Sequence, residues 1–274
     1  MSLAVILGSS RGLGLNLARG HLLRSSLNVV CASRTPDEAR EAILKDLPSD
    51  AKDRLTTLKA DVTKEASFQE LAGQIKEMGE IRTLWNVAGI LRPEKNLAQV
   101  DYDEMLRQFQ INTFAPLLAM KHLVPLLPKQ ISRGGERKPG APGGTDSASD
   151  VAPNGLALIA SLSARVGSIE DNGRGGWYSY RASKAAQNQI TRTLARELTL
   201  RKVPAISIGL HPGTVRSELS KEFTGGPGGK DGKAPGPGEF EAPDAAENLL
   251  NVVRGLTVED SGGFRDWEGK KVPF

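Results

Sequence analysis

The chain opens with a short apolar run, Leu3-Ala4-Val5-Ile6-Leu7, followed at once by Gly8-Ser9-Ser10-Arg11-Gly12-Leu13-Gly14. An apolar run of that length before a turn is the pattern of a strand buried on both faces of a parallel sheet. The glycines permit a tight turn and leave backbone N–H groups open at the start of the following helix, where a pyrophosphate can approach. The spacing is Gly-x-x-x-Gly-x-Gly, not the Gly-x-Gly-x-x-Gly of the usual dinucleotide fingerprint. With 30 glycines in 274 residues, such spacing arises by chance in places. Its position directly behind a first strand is what gives it meaning.

Beyond that turn, strand and helix patterns alternate, which predicts a single α/β domain with a parallel sheet covered by helices. Further strands are expected at 28–32, 55–59, 81–85, 156–160 and 205–210, with a short last one near Phe264. Phe68, Leu71, Ile75 and Met78 alternate spacings of three and four, as on an amphipathic helix. Thr35-Pro36-Asp37-Glu38 reads as a helix start. The stretch 101–128 reads as one or two helices, 178–201 as a long one and 244–255 as the last. Two segments lack periodicity. Residues 129–154 are read as a surface insertion. The Gly- and Pro-rich stretch 224–237, within a segment at 216–242, reads from composition as an unordered loop.

Composition narrows the class. The hydrophobic share of 39% suffices for a core, and the net charge of +4 is spread among interleaved acids and bases, so no nucleic-acid footprint stands out. The single cysteine, Cys31, excludes an intramolecular disulfide and is expected in the core of the second strand. No apolar stretch is long enough for a bilayer, and a strand beginning at Leu3 leaves no room for a signal peptide, so a cytoplasmic location is expected.

Tyr180 and Lys184 lie four apart at the start of the 178–201 helix and so share a face. An ammonium beside a phenol lowers a pKa that is ordinarily about 10, which would let the phenol exchange a proton with a carbonyl oxygen. Asn86-Val87-Ala88-Gly89 follows the fourth strand, and Asn112 lies in a later helical stretch. In chain order, Gly8/Gly12/Gly14, Asn86/Ala88/Gly89, Asn112, a serine at 161–163, Tyr180 with Lys184, and Pro212-Gly213 resemble the short-chain dehydrogenase/reductase family over nearly the whole chain. Ser163-Ala164-Arg165-Val166-Gly167-Ser168-Ile169 and the run from Gly176 to Ala186 are most similar to its C-factor-like and sniffer-type carbonyl reductases.

The resemblance implies a Rossmann fold, a doubly wound parallel sheet with helices on both faces, and a substrate lid at 216–242. It implies that Tyr180 is the acid/base and also contacts the cofactor, and that Lys184 tunes it and binds the cofactor ribose. It implies that Asn112 holds a water in a proton relay and that a serine after the fifth strand polarises the substrate carbonyl. This chain has Ser161-Leu162-Ser163 where a serine pair is usual; Ser163 is preferred, and Ser161 stays open. Gly8, Ser10, Arg11 and Leu13 of the glycine turn would face the pyrophosphate. Asp61 and Val62 would face the adenine, with Asn86, Ala88 and Gly89 behind the fourth strand. Pro212, Gly213, Thr214 and Val215 would lie on the nicotinamide side. NAD sites place an acid at the end of the second strand. Here Ser33-Arg34 stands instead, and a guanidinium suits a phosphate. Arg34 and Arg11 therefore favour NADPH over NADH, and with it the reduction of an aldehyde, ketone or quinone. The family usually forms homodimers or homotetramers through its long helices.

Two other readings stay open. Gly8-Ser9-Ser10-Arg11-Gly12 also fits the Gly-x-Ser-x-Gly elbow of serine hydrolases, whose base would have to be His122 or His211. A nucleotide-binding sensor or signalling protein without turnover is the other. His211 has no Cys/His/Asp cluster in sequence around it, so no metal is expected.

Overall fold

The computed structural model describes residues 1–130, 148 and 150–274. Of the expected insertion at 129–154, residues 131–147 and 149 lie outside the described residues. The elements run β1 (Ser2–Leu7), α1 (Gly12–Arg24), β2 (Asn28–Ser33), α2 (Pro36–Leu44), β3 (Leu55–Lys59), α3 (Glu65–Met78), β4 (Glu80–Asn86), α4 (Tyr102–Phe109), α5 (Ala115–Leu123), β5 (Ala157–Leu162), α6 (Tyr178–Leu200), β6 (Ala205–His211), β7 (Thr214–Arg216), α7 (Lys221–Thr224), β8 (Glu239–Glu241), α8 (Ala242–Arg254) and β9 (Phe264–Asp266).

Seven strands form one sheet in the order β3-β2-β1-β4-β5-β6-β9, every neighbour parallel. The alternation within β1 shows why two helical layers are needed. Ala4 and Ile6 point into one core with Leu17, Leu22, Leu249 and Leu250 of α1 and α8. Leu3, Val5 and Leu7 point into the other with Phe68, Leu71, Ala119 and Leu123 of α3 and α5. Cys31 is free and buried in β2, as expected.

The strand order reverses between β1 and β4. In an open parallel sheet, the crevice beyond the carboxyl ends of the strands at such a point is where ligands bind. Gly8 follows β1 at that point, and the Val87 and Ala88 N–H groups turn back onto the Leu7 carbonyl at 3.0 and 3.1 Å.

Two elements are more structured than their sequences imply. The helical stretch at 101–128 is not continuous: a π-helical turn, Gln110–Phe114, separates α4 from α5, and Pro116 falls in the first turn of α5. Such turns bulge the helix and recur at functional sites. The segment after β7 is tied at both ends, since β7 pairs in parallel with β8. Arg216, 5% exposed, donates to Glu239 Oε1 at 2.7 Å, Glu241 Oε1 at 3.2 Å and the Lys233 carbonyl at 2.7 Å.

Candidate active site

The residues that could carry chemistry meet at the carboxyl edge of the sheet. Ser161 is the fifth residue of β5 and fully buried, and its hydroxyl accepts the Asn86 Nδ2–H at 3.2 Å from the neighbouring strand. It is thereby committed to holding β4 against β5. Ser163 comes just past the strand end, its N–H donating to the Leu210 carbonyl at 2.9 Å. Its buried hydroxyl has no hydrogen-bond partner among the described residues. A buried hydroxyl left unpaired is costly and marks a place where an incoming group can bond.

Tyr180 and Lys184 lie one turn apart at the start of α6, 7% and 4% exposed. The turn Arg165–Gly167 after Ser163 presses on that helix: a Cβ on Gly167 would stand 2.6 Å from Lys184 Cβ. Lys184 Nζ donates to the Leu162 carbonyl at 2.7 Å and to Gln187 Oε1 at 2.9 Å, and sits 5.9 Å from the centroid of the Tyr180 ring. The expectation that Lys184 lowers the phenol is corrected here. Burial raises the Tyr180 pKa above its ordinary value and pulls Lys184 down to about 7. With Nζ turned to two protein acceptors and both groups desolvated, the loss of hydration outweighs their mutual attraction.

Asn112 lies in the π-helical turn, fully buried. Its side chain accepts the Ile90 N–H and donates to the Ile90 carbonyl, both at 2.9 Å, and also donates to Ser183 Oγ at 3.1 Å. A Cβ on Gly89 would lie 3.4 Å from Asn112 Oδ1 and 3.8 Å from Lys184 Nζ, so these three groups adjoin. Gln108, one turn earlier and also fully buried, makes the same two-point bond with Arg92, at 3.0 and 3.1 Å. Gln108 escaped the sequence reading; its only signal is the spacing of four from Asn112. Glu94, 6% exposed, escaped it too.

Around the glycine turn the backbone is tightly packed. A Cβ on Gly8, whose φ is +89°, would meet the Ala88 nitrogen at 2.7 Å, and one on Gly14 would meet the Gly8 carbonyl oxygen at 2.2 Å. Ser10 and Leu13 are half-buried beside them and Arg11 is exposed. At the end of β2 the Ser33 hydroxyl is buried without a partner among the described residues, and Arg34 is exposed next to it. No acid stands there. Asp61 accepts the Thr63 hydroxyl at 2.7 Å and its N–H at 3.0 Å, bonds that hold its carboxyl below the usual range. Val62 is half-buried beside it. Asn86 Oδ1 is a further buried acceptor with no partner among the described residues. Past β6, Pro212 leads to Gly213, whose φ is +77°, and the Thr214 N–H donates to the Gly238 carbonyl at 2.8 Å. The loop of Pro212, Gly213, Thr214 and Val215 is therefore fastened to the segment that follows.

This surface suits a dinucleotide. It has a glycine turn that a side chain would block, unpaired buried polar atoms at Ser33 and Asn86, and an exposed cation at Arg34. It does not suit a serine hydrolase. His21 is buried, with Nδ1 2.8 Å from the Leu17 carbonyl and Nε2 3.2 Å from Trp85 Nε1, and its pKa is down to about 4. His122 pairs with Glu65 at 2.9 Å, and His211 lies at the end of β6. None of the three is hydrogen bonded to Ser9 or Ser10 among the described residues. Nor do three or more His, Cys, Asp or Glu residues group as metal ligands among them.

Comparison with known proteins agrees with this layout. The family profile described as short chain dehydrogenase matches residues 2–135. The C-signal protein of Myxococcus xanthus is 32% identical over 196 residues, 72% of this chain and 94% of that protein. The crystal structure of an NADPH-bound carbonyl reductase from chicken fatty liver superposes with a TM-score of 0.76 at 27% identity, covering 100% of this chain and 98% of that one. The carbonyl reductase Sniffer of D. melanogaster gives a TM-score of 0.77 at 25% identity, with 100% and 99% covered.

Proposed function

The chain belongs to the short-chain dehydrogenase family, and from that premise we propose that it is an NADPH-dependent reductase of aldehydes, ketones or quinones. The observation that carries this reading is that Ser163, with its unpaired buried hydroxyl, directly follows Leu162 at the end of β5, whose carbonyl accepts from Lys184 of the buried pair Tyr180–Lys184. Bound there, NADPH would supply the hydride. Gly8, Ser10, Arg11, Leu13, Asn86, Ala88 and Gly89 would hold its pyrophosphate and nicotinamide half. Ser33 and Arg34 would hold the phosphate that distinguishes it from NADH, Asp61 and Val62 the adenine, and Pro212, Gly213, Thr214 and Val215 the nicotinamide side.

The protein's own part is orientation and proton handling. Ser163 donates a hydrogen bond to the substrate oxygen and fixes the carbonyl plane. Tyr180 gives that oxygen its proton. The raised phenol is protonated at neutral pH, which is the form a reductase needs before the transfer. Lys184, one turn on, offsets the phenolate left behind when it carries its proton, and Asn112 adjoins it for the return of the proton from water. The segment at 216–242 serves as the substrate lid. Exposed Leu106, Phe114 and Leu117 on α4, the π-helical turn and α5 form the face on which copies pair as a dimer or tetramer. A cytoplasmic location is part of the same reading. No helix among the described residues is long and apolar enough to cross a membrane.

The likeness to C-signal favours a second reading, a nucleotide-binding signalling protein without turnover. One experiment separates them: fluorescence titration with NADPH and NADH, then NADPH consumption on a panel of aldehydes, ketones and quinones. Tight NADPH binding with turnover supports the reductase. Tight binding with no turnover on any carbonyl supports the signalling role, and no binding of either nucleotide defeats both.

A further inference from the structure

Three consecutive residues before α6, Gly175, Gly176 and Trp177, have φ of +63°, +65° and +55°. Glycine adopts this conformation freely, but a residue as bulky as tryptophan does so only where its surroundings hold it. Trp177 is held from both sides. Its N–H donates to the Glu94 carbonyl at 2.6 Å, and Glu94 Oε2 accepts the Ser179 N–H at 3.4 Å. Arg181 folds back over the same turn: Nε donates to the Gly176 carbonyl at 2.9 Å, Nη2 to Gly175 at 3.1 Å and Nη1 to Val166 at 3.2 Å.

The result is a particular placement of the indole. It meets the Tyr180 ring edge-on with centroids 6.1 Å apart, and it also meets Phe223 of α7, in the segment tied down by Arg216, at 5.1 Å. Trp177 is only half-buried and Phe223 is 45% exposed, so this cluster is a wall, not core. Left-handed tryptophan that contributes little to the core points to a role at the site.

Resting on the reductase reading, we infer that Trp177 is a specificity-determining residue, held in its strained backbone by Glu94 and Arg181. It lines the space beside the proton donor and selects carbonyl compounds with an aromatic ring next to the carbonyl carbon over small aliphatic ones. Indole and phenyl surfaces stack or meet an aromatic ring edge-on and gain more than they do from a short alkyl chain.

The test uses Trp177→Gly and Trp177→Asn, both of which tolerate a left-handed backbone without the ring. The second stands in if the first folds poorly. With NADPH, kcat/KM for benzaldehyde is expected to fall about tenfold, the size of one lost aromatic contact, while that for propanal stays within about twofold. NADPH affinity should not change. Equal losses on both aldehydes, or no loss, overturn the inference. Saturation-transfer NMR of the two aldehydes on NADP⁺-saturated protein reads the same preference without turnover. If the wild type reduces neither aldehyde, the reductase reading is decided by the wider carbonyl panel, and the NMR still decides this one: weaker benzaldehyde contact in Trp177→Gly upholds it and unchanged contact overturns it. Glu94→Ala, which keeps the carbonyl bond to Trp177 and removes only the carboxylate bond to Ser179, should shift the preference the same way by a smaller factor, and Glu94→Gln, which keeps the acceptor, should restore it. Wild-type preference in Glu94→Ala would overturn the part assigned to the Glu94 carboxylate.

Discussion

Two of the left-handed turns along the working edge of this sheet are made by different means. At Gly8 and Gly12, with φ of +89° and +54°, the turn is made by residues that adopt it freely. At 175–177 it ends on a tryptophan and is held by an acid from one loop and an arginine from the helix it leads into. The first turn frees backbone N–H groups and gives close approach, which suits a ligand common to many proteins. The second places one large side chain, which suits a substrate particular to this one. Strain of about 1–3 kcal/mol at a non-glycine residue persists only where neighbours over-determine it.

The comparison breaks most sharply at Gly8. Gly8→Ala puts a methyl 2.7 Å from the Ala88 nitrogen at a φ of +89°, and overpacking with backbone strain should cost about 3 kcal/mol. A thermal melt of the variant would show it, and NADPH binding should be lost with it. A Gly8→Ala protein with wild-type stability would mean the turn is looser than described.

That contrast also explains what the sequence made legible. A glycine turn behind an apolar run announces itself because a missing side chain is the signal, and β3 spans 55–59 as the sequence predicts. Strand ends elsewhere moved by a residue or two, since Ser33, Asn86 and His211 continue the ladder although polar. The hold on Trp177 was not legible. Glu94 and Ser179 are 85 residues apart, and nothing local to either marks a carboxylate reaching a helix start. The Gly- and Pro-rich stretch at 224–237 read as featureless because its order comes from Arg216 and the two glutamates beyond it. The Tyr180–Lys184 spacing was legible, but not the sign of the phenol's shift, because burial is a property of the fold.

The lysine gives the next effect. Folding pulls Lys184 from 10.5 to about 7, so between those values the unfolded chain holds a proton that the folded chain has released. Stability without nucleotide should therefore rise with pH across that window, at a rate of at most about 1.4 kcal/mol per pH unit from this group. It should be lost again as pH falls toward 7. Melting Lys184→Met from pH 7 to 9 should show a flatter dependence than the wild type; an identical slope would mean that Lys184 is not desolvated.

Smaller effects sharpen the two sides separately. Arg34→Ala should weaken NADPH about tenfold, one charge-assisted contact, and leave NADH unchanged in the same titration. Equal weakening of both would remove Arg34 from the phosphate. On the substrate side, Arg216→Gln loosens the tie to Glu239 and Glu241 and should speed proteolytic nicking at 217–238 on the order of fivefold. An unchanged rate would mean that the segment is held by β7–β8 pairing alone.

Tyr180 gives the proton, while most of the cofactor surface is built by other residues. Tyr180→Phe removes one hydroxyl at a buried position and nothing else. Steady-state NADPH oxidation on the best carbonyl should fall about 10²- to 10⁴-fold, with NADPH affinity by fluorescence within about twofold of wild type. A Tyr180→Phe protein that keeps its rate, or that loses rate only in proportion to lost NADPH binding, would contradict the account.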